Sequence, residues 1–171
     1  NQAYAAANRI TYLTLDELLA ASDVITVHCP LTPQTRHLLN RENLARVKRG
    51  CYLVNTARGP IVETAGLVAA LEQGRLAGVA LDVLEEEGEI KDEMHFLTHA
   101  HPKAEELEAM LATHVLIAQP NVLVTPHNAF NSQEAFGRIL ATTIQTIRGF
   151  LDRKPVNLIP RTDPKHSNVR E

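Results

Sequence analysis

The sequence of residues 51–83 is CYLVNTARGPIVETAGLVAALEQGRLAGVALDV, in which two short apolar runs flank a helical pattern. The flanking runs, 51–55 and 76–83, are almost continuously apolar, which is typical of strands in a parallel sheet that helices cover on both faces. The pattern between them predicts a helix over 61–73 that ends at Gly74. Strand, helix and strand in this order predict a parallel β-α-β unit.

The same alternation continues on both sides of this unit. Residues 23–28 and 121–125 predict two further strands, and residues 41–48 predict a helix that stops at Gly50. Near the start, Thr14 and Glu17 have the spacing of a capping box, which predicts another helix. The chain as a whole therefore predicts an α/β fold with a doubly wound, Rossmann-type parallel sheet.

Two regions depart from the alternation. Residues 85–120 form a long acidic connection with a short predicted helix at 104–112, and residues 132–154 predict a long amphipathic helix capped by Ser132. We interpret the apolar stripe of the second helix as core. The connection contains H-x-x-x-H-x-H, but no further ligand stands at a recognisable spacing, so we expect a surface insert and no metal site.

Composition excludes several classes of protein. The 171 residues are 44% hydrophobic and carry a formal net charge of −3, which argues against a disordered chain and against a strongly basic nucleic-acid binder. No apolar run approaches the roughly 18 residues of a membrane span. Two cysteines, Cys29 and Cys51, are too few for a disulfide scaffold and are expected to be small buried residues. We therefore predict a cytoplasmic protein with neither nucleic acid nor membrane as partner.

Conspicuous polar residues stand where the predicted strands end. Ligands of doubly wound sheets bind beyond the carboxyl ends of the strands, so this edge is the expected site. The residues that close or follow a strand there are His28, Arg58, Asp82 and His127.

The glycines do not form a phosphate-binding loop. The eight glycines include no G-x-G-x-x-G pattern and no P-loop, although a dinucleotide-binding sheet normally carries such a loop after its first strand. Either the sheet binds no dinucleotide or the loop lies upstream of residue 1.

Four segments, taken in their order along the chain, favour a Gly-rich loop upstream of residue 1. They are HCPLTP at 28–33, NTARG at 55–59, LDVLEEE at 81–87 and TPH at 125–127. Together they resemble the C-terminal half of the D-isomer-specific 2-hydroxyacid dehydrogenases over roughly residues 10–158. Residues 126–130, PHNAF, and the long acidic insert are similar to the D-lactate dehydrogenase branch.

The resemblance implies a domain organisation. Residues 1–131 would be the C-terminal portion of an NAD-binding domain that lacks its first strands, and residues 132–154 would be a helix between domains. Residues 155–171 would be the tail of a substrate domain. The Gly-rich loop would then precede residue 1, so we expect the chain alone to be inactive. A homodimer is implied in the same way.

The resemblance also implies a catalytic set of Arg58, Glu87 and His127. Imidazole titrates near neutrality, so His127 suits the transfer of the proton in keto-acid reduction. Glu87, five residues beyond Asp82, would orient that imidazole and favour its charged form. Arg58 presents a planar fork of donors that matches a carboxylate. The hydride would come from the nicotinamide of NAD.

Cofactor contacts are implied by the same resemblance. Cys29, Pro30 and Thr35 match the loop that passes beside the cofactor, and Thr56, Ala57 and Arg58 match the loop after the next strand; Asp82 matches a residue that contacts the nicotinamide carboxamide. NADP stays open as an alternative, because the acidic residue that selects the ribose would lie upstream.

Three functions fit these motifs. The first is an NAD-dependent dehydrogenase that interconverts a 2-keto acid and a D-2-hydroxy acid, with pyruvate and D-lactate as the expected pair. The second is a related glyoxylate or hydroxypyruvate reductase or a phosphoglycerate dehydrogenase. The third is a dehydrogenase-like binding protein similar to the C-terminal-binding corepressors, which keep much of the same motif set.

Overall fold

The computed structural model describes residues 2–85 and 104–158 of the chain. The chain forms two compact units, Asn1–Ala129 and Phe130–Glu171. The first unit contains a sheet and its helices, and the second contains one long helix with the short segment that follows it.

The first unit is built on a four-stranded sheet in which every neighbouring pair of strands is parallel. The strands lie in the order of the sequence, so each β-α-β connection joins neighbours. This confirms the predicted α/β fold with a parallel sheet. The strands are β1 (Val24–Val27), β2 (Cys51–Asn55), β3 (Leu76–Leu81) and β4 (Val122–Val124).

Six α-helices are found in the described part of the chain. A short 3-10 helix, Gly59–Ile61, also lies between β2 and the helix that follows it. The α-helices are α1 (Gln2–Ala7), α2 (Leu15–Ala21), α3 (Arg41–Leu44), α4 (Thr64–Glu72), α5 (Ala104–Ile117) and α6 (Gln133–Leu151).

Several helix bounds differ from the predicted ones for local reasons. α3 ends at Leu44 rather than Lys48, because the next amides bond three residues back and the amide of Lys48 bonds the carbonyl of Leu19. α4 begins at Thr64 rather than Ile61, because the 3-10 helix containing Pro60 precedes it. α5 continues five residues past its predicted end at 112, and α1 was not predicted.

The core of the first unit lies between one face of the sheet and the helices α2 to α5. Leu53 and Leu81 of the sheet are buried against residues such as Leu19, Leu67 and Leu116 of those helices. The opposite face carries apolar side chains that remain exposed: Val24 at 57%, Tyr52 at 54% and Leu123 at 61%. The strands are therefore apolar on both faces, as predicted, while only one face is covered within the described residues.

The second unit is dominated by α6. Ser132 caps this helix, as predicted, and accepts a hydrogen bond from the amide of Ala135 at 3.1 Å. No residue of α6 is buried, so the apolar stripe that we interpreted as core lies exposed in the described part of the chain. Its exposed members are Phe136, Ile139, Leu140, Ile144, Ile147, Phe150 and Leu151. Among the described residues, no helix combines the length and the apolar character that crossing a bilayer requires.

A close backbone contact joins the loops that follow β2 and β3. A Cβ placed on Gly59 would lie 1.9 Å from the carbonyl oxygen of Leu84, a distance that no side chain permits. The loop carrying Arg58 can therefore pack directly on the loop that carries Leu84 only because residue 59 has no side chain.

We expect Gly59→Ala to destabilise the protein by about 1–3 kcal/mol, because the added methyl group must push the two loops apart. The measurement is the free energy of unfolding from urea denaturation. Gly137→Ala is the matched control, since nothing lies within 4 Å of a Cβ placed there in α6. A Gly59→Ala variant that unfolds at the wild-type urea concentration would contradict the close contact.

Candidate active site

The four strands end in one row at the same edge of the sheet. In the register of the sheet Val27 pairs with Asn55, Asn55 with Leu81, and Leu81 with Val124. The sequence-predicted site residues stand one to three positions beyond these ends: His28, Arg58, Asp82 and His127. The structure therefore places the loops that carry them side by side, at the edge predicted to bind the ligand.

Asn55 shapes the loop that carries Arg58. Its side chain is 1% exposed, and its amide oxygen accepts a hydrogen bond from the amide of Ala57 at 3.0 Å. The amide nitrogen of the same side chain donates to the carbonyl of Arg58, also at 3.0 Å. The buried Asn55 side chain thus bonds both an amide and a carbonyl of the turn. These two bonds fix the backbone from which the guanidinium of Arg58 projects.

Most of the predicted cofactor contacts line a single open cleft of about 510 Å³. The cleft lies between the loops after β1 and β2, and its walls are His28, Cys29, Pro30, Leu31, Thr56, Ala57 and Arg58. Five of these seven residues were predicted from the sequence to contact NAD. The structure brings those five together, which fits an extended cofactor that passes along the ends of the strands.

Thr35 supports the wall of this cleft. Its hydroxyl donates to the carbonyl of Pro30 at 2.7 Å and accepts from the amide of Thr32 at 2.8 Å. The side chain therefore holds the loop after β1 closed on itself. Its predicted contact with the cofactor remains a prediction.

Asp82 holds the loop that carries His127. Its side chain accepts hydrogen bonds from the amide of Asn128 at 2.8 Å, from the amide of Ala129 at 2.7 Å, and from the hydroxyl of Thr125. Both carboxylate oxygens are therefore engaged on this one loop. The backbone of His127 is left-handed, with φ of 52°, which these bonds help to maintain.

The environment of Asp82 favours its ionised form. Burial alone would raise the pKa of this carboxyl, because it disfavours the charge. The hydrogen bonds from Thr125, Ala129 and Asn128, with the nearby charge of His127, outweigh burial and lower the pKa of Asp82 below its ordinary value. The carboxylate that holds the His127 loop is therefore charged at neutral pH.

Glu85 is one of four glutamates, with Glu86, Glu87 and Glu89, that compete in the sequence for the role of imidazole partner. Its side chain is 8% exposed and is paired with the imidazole of His37, and it also accepts a hydrogen bond from the amide of Thr64 at 2.8 Å. Glu85 is therefore occupied elsewhere. Glu87, the predicted partner of His127, lies outside the described residues, as do His95, His99 and His101.

Three residues with clear positional roles were missed from the sequence: Asn55, His37 and Glu85. Asn55 had a signal, since an Asn that closes a strand before a turn commonly bonds the following backbone. His37 and Glu85 had none, because they lie 48 residues apart in the sequence. No group of three metal-ligating side chains is found among residues 2–85 and 104–158.

Comparison with known proteins agrees with this geometry. Residues 1–129 match the family described as D-isomer specific 2-hydroxyacid dehydrogenase, NAD binding domain. The chain is 44% identical over 160 residues to 2-hydroxyacid dehydrogenase A of Aspergillus oryzae, covering 94% of this chain and 42% of that protein. It is 34% identical over 148 residues to a hydroxypyruvate reductase of Blautia hydrogenotrophica, covering 86% and 39%.

A solved structure gives the same picture. The D-lactate dehydrogenase of Aquifex aeolicus, crystallised with NAD and lactic acid, superposes with a TM-score of 0.69 at 34% identity. The match covers 85% of this chain and 42% of that one. The chain thus spans about two fifths of the length of the curated relatives it matches.

We expect the free energy of unfolding to decrease as the pH is lowered, and we expect part of this decrease to depend on Asp82. A carboxyl whose pKa is lower in the folded state contributes stability that is fully present above its unfolded pKa of about 3.9 and is lost as pH falls through the folded value. Asp82→Asn should therefore lower the free energy of unfolding at pH 7 and flatten its dependence on pH below about 4. Unfolding curves between pH 2.5 and 7 measure both effects, and an unchanged slope in the variant would contradict the assignment.

Proposed function

The chain belongs to the D-isomer specific 2-hydroxyacid dehydrogenase family, and from this premise we propose that the full-length protein interconverts a 2-keto acid and a D-2-hydroxy acid with NAD. The observation that carries the proposal is the row of strand ends that sets the loops of Arg58, Asp82 and His127 side by side. An arginine and an imidazole on loops at the same edge of the sheet, with the Asp82 loop between them and a cleft for a cofactor beside Arg58, meet the needs of keto-acid reduction.

Pyruvate and D-lactate are the proposed substrate pair. The segment PHNAF at 126–130 and the long acidic insert, both similar to the D-lactate branch, support this choice. The likeness to the Aquifex aeolicus enzyme adds support. The likeness to a hydroxypyruvate reductase makes hydroxypyruvate the second substrate to examine.

His127 is the proposed proton donor in reduction and acceptor in oxidation. Its loop is held by the carboxylate of Asp82, so the imidazole projects from a fixed backbone. Glu87 is the proposed partner of the imidazole, which would favour the imidazolium form. Glu85 is engaged with His37 and Thr64, and this leaves the role to a later glutamate.

Arg58 is the proposed handle for the substrate carboxylate. Its guanidinium has a planar fork of donors, one of which donates to the carbonyl of Ala57 at 2.6 Å. The remaining donors suit a carboxylate, and they would also stabilise negative charge that develops on the keto oxygen.

The cleft beside Arg58 is the proposed place of the nicotinamide cofactor. Cys29, Pro30, Thr56 and Ala57, which line the cleft, would bind along the cofactor. NAD supplies hydride transfer when it is bound. We propose a direct contact of Asp82 with the nicotinamide as a secondary role, since its oxygens already bind the His127 loop.

The oligomeric state and the location of the protein are proposed from its family. A homodimer is proposed by resemblance, and a cytoplasmic location suits a dehydrogenase of small metabolic acids. Sedimentation of the full-length protein measures the first, and fractionation of cells the second.

We expect the full-length protein to oxidise NADH with pyruvate, and His127→Ala to lower kcat by about 10² or more, the scale of general acid catalysis. The assay follows NADH absorbance with pyruvate, hydroxypyruvate, glyoxylate and phosphohydroxypyruvate in parallel. A higher kcat/KM for hydroxypyruvate would move the protein to the reductase branch. Absence of turnover with every acid, with NADH still bound, would favour a binding protein.

We expect Arg58→Lys to raise KM for the keto acid more than it lowers kcat, because an ammonium point charge replaces a bidentate fork. Arg36→Lys is the control, since this substitution makes the same chemical change at an arginine that does not line the cleft. Unchanged KM and kcat in Arg58→Lys would remove Arg58 from the substrate site.

A further inference from the structure

Glu85 lies where three loops of the candidate active site meet. Its side chain belongs to the loop after β3, pairs with His37 of the loop after β1, and accepts from Thr64 beyond the loop after β2. The Glu85 side chain is 8% exposed, whereas the His37 side chain is 37% exposed, so the carboxylate is largely shielded from water and the imidazole is partly open to it.

The contact with Thr64 replaces a missing helix cap. Glu63 occupies the N-cap position of α4 but makes no capping hydrogen bond, because its carboxylate accepts from the amide of Arg41 at 2.6 Å instead. The carboxylate of Glu85 takes its place at the first turn of α4. Negative charge at this end of a helix is favoured by the helix dipole and by the unpaired amides.

Backbone hydrogen bonds fix the position of His37, the partner of Glu85. The backbone of His37 is left-handed, with φ of 50°, and its amide donates to the carbonyl of Pro60 at 2.8 Å. Leu39 continues this pairing, with its amide donating to the carbonyl of Ile61 at 3.1 Å. The loop after β1 is thus joined to the segment just beyond Arg58, and Glu85 bonds the imidazole at that junction.

The backbone next to Glu85 is equally constrained. Leu84 contacts Gly59 so closely that a Cβ there would meet its carbonyl oxygen at 1.9 Å. Gly59 directly follows Arg58, so a shift of Leu84 and Glu85 must displace the backbone that carries the guanidinium. A change at Glu85 can therefore alter the spacing between the loop after β1 and the backbone that carries Arg58.

We propose that Glu85 is a positioning residue for the reaction proposed above: it sets the relative placement of Arg58 and the cofactor loop after β1. Glu85 does not touch the substrate in this role. It acts through His37 on one wall of the cleft and through Leu84 and Gly59 on Arg58. This inference rests on the proposed function for its kinetic consequences, but its effect on NADH binding is measurable without turnover.

The test compares two carboxylates of the same kind in the full-length protein. Glu85 and Glu63 each accept one hydrogen bond from the first amide of a helix, at 2.8 and 2.6 Å. Of the two carboxylates, only that of Glu85 is also bonded to a side chain of the loop after β1, since Glu63 meets this loop through its backbone amide alone. Glu85→Ala and Glu63→Ala therefore both remove a helix-terminal carboxylate, and only the first releases the site.

We expect Glu85→Ala to raise KM for the keto acid and Kd for NADH, with a loss of kcat/KM of about tenfold to a hundredfold, the scale of small misplacements in active sites. Glu63→Ala should lower Tm while changing kcat/KM less than about twofold, because its carboxylate bonds the amide of Arg41 and does not line the cleft. Glu85→Gln should recover part of the loss, because its amide oxygen can still accept from Thr64. Equal kinetic constants in the two alanine variants, at similar losses of Tm, would overturn the proposal.

Two further measurements keep the outcome decisive. If Glu85→Ala does not fold, His37→Ala and Glu85→Gln take its place, and wild-type NADH affinity and KM in both would overturn the positioning role. Wild-type turnover that His127→Ala abolishes supports the proposed function whatever Glu85 does. Without any wild-type turnover the proposed function fails, and the NADH affinities of the same variants then test Glu85 alone.

Discussion

Parallel hydrogen bonding between the four strands is the constraint on which the candidate site depends. It places the ends of the strands, at Val27, Asn55, Leu81 and Val124, in a single row. Backbone bonds extend that row by one residue, since the amide of Asp82 bonds the carbonyl of Asn55 and the amide of Thr125 bonds that of Leu81. Loops that are far apart in the sequence must then leave the sheet side by side. The arginine and the imidazole to which the proposed function assigns catalysis therefore lie at one edge of the sheet.

The register of the strands fixes where each loop begins but not the conformation of the loop. Hydrogen bonds from buried polar side chains fix that conformation. Asn55 fixes the Arg58 turn, Asp82 fixes the His127 turn, and Glu85 joins the loop after β1 to the start of α4. Each is nearly excluded from water and each has backbone amides as partners. Such groups are costly when unpaired, so each strongly favours one loop conformation over its alternatives. The site therefore consists of exposed functional side chains on loops that buried ones hold in place.

Much of the fold was readable from the sequence because its signals are local. Continuous apolar runs predicted the strands, and the capping pattern of Thr14 and Glu17 predicted the start of α2, with both reciprocal bonds present in the structure. The motif order predicted the family. Helix ends were less accurate, as at α3, because bonds from Lys48 to Leu19 and other tertiary contacts decided where the helix stopped.

The sequence by itself determined the parallel sheet and the family, and it supplied the proposed site residues, because periodicity and motif order can be read along the chain without folding it. It left four closely spaced glutamates, of which it favoured Glu87 as the imidazole partner only by family resemblance. The tertiary structure decided that Glu85 is committed to His37 and Thr64, partners 48 and 21 residues away. It also decided that Asp82 binds the loop of His127, more than forty residues further along the chain. Those assignments needed folding, since only the packed sheet brings such distant groups within hydrogen-bonding distance.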